Sequence, residues 1–179
     1  VLFNNNFSGV FPPFLGACDT LDNIMLQNNH FTGEFPEEVW SAFPKLTTVK
    51  IQNNNFTGFL PSTVSSTITR IEMGNNRFFG AVPSSAPGLK SFMAENNWFS
   101  IVPANMTKLA NLTDLNLAGN QISGSIPTSI GALVRLNYLN LSSNQITGAI
   151  PAGIGLLSAL IVLDLSNNQL TGGIPEDFN

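Results

Sequence analysis

The stretch from residue 136 to residue 151 reads Leu136-x-x-Leu139-x-Leu141-x-x-Asn144-x-Ile146-Thr147-Gly148-x-Ile150-Pro151. Its closely spaced leucines alternate with polar residues, as in a short β-strand with one buried face. The asparagine that follows is typical of a tight turn. The glycine permits a backbone conformation that other residues resist, and the proline fixes an extended segment. Together these positions predict one coil, made of a strand, a turn and an extended return.

This coil recurs along the whole chain. Its turn asparagines are separated by 24, 25, 22, 21, 23, 24 and 24 residues, within the range of about 20 to 29 residues that is typical of leucine-rich repeats. About eight repeats are therefore predicted, and their turn asparagines are Asn5, Asn29, Asn54, Asn76, Asn97, Asn120, Asn144 and Asn168.

The turn asparagines are predicted to hold the coils together. Each side-chain amide carries two donors and an acceptor, so it can bond the backbone of its own coil and of the neighbouring coil. We expect these amides to form a ladder that satisfies buried peptide groups without a helix or sheet partner. We call this set the asparagine ladder.

The chain is interpreted as a single solenoid segment over residues 1–179. It opens and stops within a repeat, so the first and last repeats are incomplete and neither end shows a cap. Capping units normally cover the ends of such arrays. We therefore expect a fragment of a longer array, with self-association through two open apolar ends.

The tail of each repeat resembles the plant-specific leucine-rich-repeat consensus, whose mark is Thr/Ser-Gly-x-Ile-Pro. The tail recurs at Ser8-Gly9, Thr32-Gly33, Thr57-Gly58, Ser123-Gly124, Thr147-Gly148 and Thr171-Gly172. The resemblance implies an α/β-class, right-handed superhelix. A parallel sheet would line its concave face, and a short second sheet with helical or 3-10 turns would lie on the convex side. It also implies a location on the extracellular face of the plasma membrane or in the apoplast.

The four early repeats, two to five, are irregular, whereas the last three follow the consensus closely. The fourth repeat is short, with Ser84-Ser85-Ala86-Pro87-Gly88 where a fuller turn is expected. The fifth repeat has Ser100-Ile101 in place of its glycine, and its Pro103 comes one residue early. A disturbed second sheet is therefore predicted around residues 80–105.

Composition argues against several classes of function. Charged residues make up only 10% of the chain, and the seven Lys and Arg residues are scattered, so no basic stripe for nucleic acid or anionic membranes is predicted. No apolar run approaches the ~20 residues of a membrane helix. The single cysteine, Cys18, is interpreted as a buried small hydrophobe. No catalytic residues, metal site or cofactor site are predicted, so this segment is not expected to be an enzyme.

A ligand-binding face is predicted on the strands. Side chains that point away from the core line one long surface of a solenoid, and repeats two to five place distinctive groups there: Met25, Gln27, Lys50, Gln52, Arg70, Glu72, Met93 and Glu95. Apolar contact with a few fixed hydrogen bonds suits an extended peptide. Lys50 and Arg70 are expected to hold carboxylates. The competing interpretation is that these side chains are merely solvated.

Five Asn-x-Ser/Thr triplets favour a secreted glycoprotein. They begin at Asn6, Asn55, Asn105, Asn111 and Asn140. A glycan on Asn140 would block the strand face of repeats seven and eight. This is a further reason to place the ligand on the earlier repeats.

Three functions stay open at this point. The resemblance favours part of the ectodomain of a plant receptor-like kinase or receptor-like protein that senses a secreted peptide or protein ligand or pairs with a co-receptor. The alternative is a soluble wall protein that inhibits a microbial polygalacturonase, although the missing caps argue against it. A minor alternative is an ice-binding protein, for which the irregular early repeats are poorly suited.

Overall fold

The computed structural model describes residues 1–12, 15 and 17–176. These residues form a solenoid of stacked coils, as predicted. From the second coil onward, one strand of each coil contributes to a seven-stranded parallel main sheet, in which the strands follow each other in chain order. They are β2 (Asn23–Met25), β4 (Thr48–Lys50), β6 (Arg70–Glu72), β8 (Ser91–Met93), β10 (Asp114–Asn116), β12 (Tyr138–Asn140) and β14 (Val162–Asp164).

The other strands lie on a second side of each coil, and this side is divided. Five strands form one parallel sheet: β1 (Ser8–Gly9), β3 (His30–Glu34), β5 (Asn55–Gly58), β7 (Arg77–Ala81) and β9 (Trp98–Ile101). Three more form another: β11 (Ser123–Gly124), β13 (Gln145–Gly148) and β15 (Gln169–Leu170). The second sheet is therefore interrupted between β9 and β11.

The interruption coincides with the missing glycine of the fifth repeat. Gly80 has a φ of 85°, and the other glycines of its column, such as Gly124 at 82°, share this left-handed conformation. Ser100 does not adopt it, because a side chain makes it costly. The register between β7 and β9 shifts here, with Gly80 opposite Phe99 but Ala81 opposite Ile101. The disturbance predicted around residues 80–105 is thus present, and its cause is the lost left-handed turn.

Among the described residues, three 3-10 helices follow the proline of their coils. They span Glu37–Trp40, Thr128–Ala132 and Ala152–Leu156, and each begins directly after Pro36, Pro127 or Pro151. The prolines have φ between −62° and −70°, which is the value that their ring imposes. The proline therefore sets the direction in which the chain returns.

The apolar core runs through the middle of the stack. The central residue of each main-sheet strand points inward, as Ile71 and Phe92 do. Behind the strands the phenylalanines stack from coil to coil, and the ring centroids of Phe31 and Phe56 are 5.7 Å apart with nearly parallel planes. Trp40 is fully buried against Phe35, at 5.1 Å. The core is continuous because each coil covers the apolar face of the next.

Each ladder asparagine from Asn29 to Asn168 lies at the turn after its main-sheet strand. Asn97 shows the full pattern: its amide nitrogen donates to the carbonyls of Met73 at 3.0 Å and of Ala94 and Glu95 at 3.2 Å. Its side-chain oxygen accepts a 3.0 Å hydrogen bond from the backbone N–H of Phe78. Asn5, in the first coil, is exposed and bonds only carbonyls of its own coil.

A second amide row runs beside the ladder, and the sequence analysis missed it. The residue before each ladder asparagine has a φ of 54° to 64°, and this column comprises Asn4, Asn28, Asn53, Asn75, Asn96, Gly119, Ser143 and Asn167. The five asparagines from Asn4 to Asn96 bond each other side chain to side chain at 2.5 to 2.8 Å. We call these five residues the outer amide row. The column was visible in the sequence, since asparagine and glycine are the residues that tolerate a left-handed turn.

Replacing Asn97 with alanine tests the ladder. Asn97→Ala strands three carbonyls and the N–H of Phe78 in a site where the asparagine is only 3% exposed. We expect the free energy of unfolding, measured by urea denaturation, to fall by about 1–3 kcal/mol. The matched control is Asn96→Gly in the exposed outer amide row, where the φ of 54° suits glycine. Its effect should stay within about 0.5 kcal/mol. Equal effects of the two substitutions would contradict the role given to the ladder.

Candidate ligand-binding face

The main sheet presents one surface away from the core, which we call the open face. It consists of the side chains that flank the buried central residue of each strand. The structure places all eight residues of the predicted ligand set there. Met25, Lys50, Glu72 and Met93 end their strands, Arg70 begins β6, and Gln27, Gln52 and Glu95 follow two residues beyond a strand end. Most are half-buried, because the neighbouring strands flank them, whereas Arg70 is exposed.

Five of these eight residues surround one open cavity of about 310 Å³. They are Gln52, Arg70, Glu72, Met93 and Glu95, and the wall is completed by Gly74, Ser91 and Asp114. Met25 lies apart, in a smaller recess next to Leu2 and Ile24. Lys50 and Gln27 line neither the cavity nor the recess. The structure thus brings together five of the eight predicted residues, from repeats three to five, and adds three residues that were not in the predicted ligand set.

Glu72 is the centre of the charged groups on the open face. Its Oε1 accepts contacts from Lys50 Nζ at 3.0 Å and from Arg70 at 2.8 Å, while its Oε2 accepts a 3.0 Å hydrogen bond from Gln52 Nε2. Lys50 and Glu72 meet because they are register partners of adjacent strands. Lys50 and Arg70 thus already hold the carboxylate of Glu72 within the chain, and their binding of a ligand carboxylate stays a prediction.

The pKa of Glu72 lies below its ordinary value of 4.5. Burial acts to raise this pKa, but the hydrogen bonds from Arg70 and Lys50, together with their positive charges, outweigh it. The carboxyl group therefore stays ionised on the open face at neutral pH, and it neutralises much of the positive charge around it.

The opposite side of the cavity is formed by Glu95 and Asp114. Glu95 Oε2 accepts a 3.1 Å hydrogen bond from Asn116 Nδ2, and Asp114 Oδ2 accepts one of 2.7 Å from Thr113. The Glu95 carboxylate lies over Gly74, where an added Cβ would come within 2.3 Å of its Oε1. Gly74 thus makes room for this carboxylate. The signal in the sequence was its position in the column of Gln27, Gln52 and Glu95, where a glycine is out of place.

The side chains around the cavity do not balance in charge. Lys50 and Arg70 supply two positive charges, whereas Glu72, Glu95 and Asp114 supply three negative ones. Within the part of the chain that the structure describes, ion pairs involve only Glu72 among these acids. The cavity therefore has a neutralised side at Glu72 and an acidic side at Glu95 and Asp114.

The predicted glycosylation positions differ in their surroundings. Asn6, Asn55 and Asn105 are exposed. Asn111 is half-buried, donates to the carbonyl of Pro87 at 2.7 Å and accepts from Arg135 at 2.8 Å. Asn140 lies on the open face and donates to the Tyr138 hydroxyl at 3.2 Å. The exposed sites offer the easier access to a glycosylating enzyme, and glycosylation of all five stays a prediction.

The surroundings of Cys18, possible metal sites and possible membrane helices can also be described. Cys18 is half-buried rather than buried, contrary to expectation. Over residues 1–12, 15 and 17–176, no group of three or more His, Cys, Asp or Glu side chains is arranged to hold a metal ion. In the same residues, no helix has the length and apolar character to cross a membrane.

Three exposed aromatic side chains lie side by side on the second sheet. Phe59, Phe79 and Trp98 are each about half exposed, at 46%, 44% and 46%. Phe79 and Trp98 are register partners, and the rings of Phe59 and Phe79 are 6.4 Å apart. The repeat does not predict this row, because its members occupy different columns of the repeat.

The chain matches family models of repeat proteins. Models described as leucine-rich repeat match residues 87–146 and residues 45–66 and 159–179, which together exceed half of the chain. A curated relative, Receptor-like protein 18 of Arabidopsis thaliana, is 33% identical over 125 residues. The match covers 68% of this chain but only 15% of that protein.

Solved structures of plant receptors share the fold. The ectodomain of the Arabidopsis thaliana receptor kinase GASSHO1/SCHENGEN3, in complex with CASPARIAN STRIP INTEGRITY FACTOR 2, superposes with a TM-score of 0.92 and 34% identity, covering 98% of this chain and 22% of that one. The Arabidopsis receptor kinase HAESA, in complex with the peptide hormone IDA and the co-receptor SERK1, superposes with a TM-score of 0.91 and 36% sequence identity. This match covers 97% of this chain and 30% of the HAESA chain. The chain thus corresponds to less than a third of either ectodomain.

Replacing Glu72 with glutamine tests the charged centre of the open face. Because the pKa of Glu72 is lowered by folding, its charge stabilises the fold above the ordinary value of 4.5, and this contribution is lost as the pH falls through the lower folded-state value. We expect Glu72→Gln to lower the midpoint of urea unfolding at pH 7, and the difference from wild type to vanish as the solution is acidified below pH 4.5.

The exposed Glu37 provides the matched control. Glu37→Gln removes the same charge from the first turn of a 3-10 helix, away from the open face. Its difference from wild type should show no comparable change over this pH range. A Glu72→Gln difference that persists unchanged into acid would show that the ion pairs contribute nothing to stability.

Proposed function

Because the chain belongs to the leucine-rich-repeat proteins, we propose that it is a ligand-binding segment in the ectodomain of a plant receptor-like kinase or receptor-like protein. Its open face would bind a secreted peptide at the extracellular side of the plasma membrane, and a co-receptor would be a second partner. The similar receptor kinases supply the precedent, since their structures contain a peptide or protein factor.

The observation that carries the proposal is the cavity on the open face. A solenoid fixes its core columns by packing but leaves the outward columns free to vary. Around the cavity these columns hold Met93, Gln52 and charged groups in place of one repeated residue. An apolar contact surrounded by a few fixed polar groups is the usual composition of a ligand site.

The shape of the face suits an extended chain. The cavity spans β6, β8 and β10, and Met25, at the end of β2, lies further toward the N-terminal end of the same face. An extended peptide of about six residues reaches some 20 Å, so it can cross several strands at about 4.8 Å each. Such a peptide loses conformational freedom on binding, which the apolar contacts and hydrogen bonds of the face would offset.

The same variability argues against the ice-binding alternative. Ordering of water on a surface calls for one repeated group along a flat array. The column of Met25, Lys50, Glu72 and Met93 instead changes its chemistry at every repeat. The inhibitor alternative is retained as an outcome of the following test, because a wall enzyme would also need an exposed protein-binding surface.

Photo-methionine crosslinking tests this proposal with internal controls. Met25 and Met93 lie on the open face, whereas Met73 and Met106 are fully buried in the core. The chain would be produced with photo-methionine and irradiated with a pool of synthetic plant secreted peptides, and separately with a fungal polygalacturonase. We expect peptide adducts at Met25, Met93 or both, located by mass spectrometry.

The two buried methionines should carry no adduct, because solvent-borne peptides do not reach them. Peptide adducts confined to other surfaces would show that the open face is not the site. Adducts to the polygalacturonase in the absence of any peptide adduct would favour the inhibitor function instead.

A further inference from the structure

The acidic side of the cavity has unused acceptors. Glu95 accepts a hydrogen bond from Asn116 at its Oε2, and the structure shows no donor at its Oε1. Asp114 accepts one from Thr113 at its Oδ2, and its Oδ1 is likewise without a donor. Among the described residues, neither carboxylate has a lysine or arginine nitrogen within 4.0 Å. Two half-buried anions are thus left without a positive partner, which is costly unless one is supplied.

Ser91 is the second, independent observation. It lines the cavity as the register partner of both Arg70 and Asp114, and it is 95% buried, with an exposure of 5%. Its backbone N–H donates to Thr69, but its hydroxyl group makes no hydrogen bond within the described structure. Polar groups of buried residues are nearly always bonded to protein or to water. The unpartnered hydroxyl of Ser91 faces the cavity, so it is available to a partner that enters from outside.

The neighbouring cations cannot fill this role. Lys50 and Arg70 both contact Glu72 Oε1, at 3.0 and 2.8 Å, so the attraction of each is already directed to that carboxylate. An anionic ligand group at Glu95 and Asp114 would meet two like charges. A neutral group would leave both carboxylates unpaired. The charge of the cavity therefore selects a cation.

We propose that this cavity binds a basic side chain of the peptide ligand, with Glu95 and Asp114 pairing its charge and the Ser91 hydroxyl accepting one of its N–H groups. The assignment rests on the proposed peptide-binding function and adds the chemical class that the peptide must present. An arginine suits the cavity, since its planar guanidinium carries five N–H donors spread over its edge and can reach acceptors on more than one side.

Methyl NMR spectroscopy of the 179-residue chain tests the assignment. With 13C-methyl methionine, the Met93 methyl group reports on the cavity, and the buried Met73 and Met106 report on the fold. The probe is N-acetyl-arginine methylamide, and its neutral isostere is the citrulline analogue. We expect saturable shifts of the Met93 signal with the arginine probe and binding at least about tenfold weaker with the citrulline probe, because charge-assisted hydrogen bonds are lost.

Three variants locate the binding group. Glu95→Gln keeps a hydrogen-bond acceptor for Asn116 but removes the negative charge, and Asp114→Asn likewise removes the charge of the β10 carboxylate. Each substitution should weaken binding of the arginine probe about tenfold. Ser91→Ala removes only the unpartnered hydroxyl and should weaken binding of the arginine probe by a few fold. Glu34→Gln, in the exposed end of β3, removes an equal charge far from the cavity and should leave binding unchanged.

Several outcomes would overturn the assignment. They are equal shifts with the arginine and citrulline probes, no shift of Met93 with either, or wild-type binding by both Glu95→Gln and Asp114→Asn. Unchanged Met73 and Met106 signals in a variant show that its fold is intact. If either acidic variant fails to fold, the other decides the question together with Ser91→Ala.

The result is separable from that of the proposed function. A peptide that crosslinks to Met25 or Met93 without any binding of the arginine probe leaves the receptor function standing and removes the basic-group assignment. Binding of the arginine probe without any peptide adduct on the open face supports a site for a basic group but removes the support for peptide binding.

Discussion

The structure depends on the need to bond backbone carbonyls that turn into the interior. At the end of each main-sheet strand the chain leaves the sheet, and carbonyl groups such as those of Met73 and Ala94 face the core. The amide of Asn97 binds both, one from its own coil and one from the coil before, while its oxygen holds the N–H of Phe78. Because one side chain bonds two successive coils, the amide fixes their relative height. The strands, the phenylalanine stack and the open face all follow from that spacing.

The fixed spacing explains how a regular scaffold can carry an irregular site. Ladder and core residues repeat because each must meet its counterpart in the next coil. Outward residues meet no such demand, so a change of one residue alters only the local surface. Gly74 and Ser91 lower the surface between the longer side chains of Arg70, Glu72 and Glu95, and this difference in size makes the cavity. The cavity therefore depends on the small residues Gly74 and Ser91 as much as on the charged residues around them.

The repeat itself could be predicted because every contact that defines it joins equivalent columns. The turn asparagines and the disturbed region near Ser100 both had a signal of this kind. Other features depend on the register between particular coils. The pairing of Glu72 with Lys50 needs the two strands to align residue for residue. The row of Phe59, Phe79 and Trp98 needs a diagonal register in the second sheet. Reading the repeat column by column places Lys50 and Glu72 in one column but does not show that their side chains pair. It cannot reveal the aromatic row, because Phe59, Phe79 and Trp98 occupy different columns.

The gap between β9 and β11 has a mechanical meaning. Strand pairing on the second side stops here, although the backbone N–H of Gln121 still donates to the carbonyl of Phe99 at 2.9 Å. We therefore expect bending of the stack to be easiest at the joint between the fifth and sixth coils. The hydrogen bond from Asn116 to Glu95 crosses this same joint on the opposite side. Whatever occupies the space beside Glu95 and Asp114 therefore touches both halves of the molecule, and it would set the angle at which they meet.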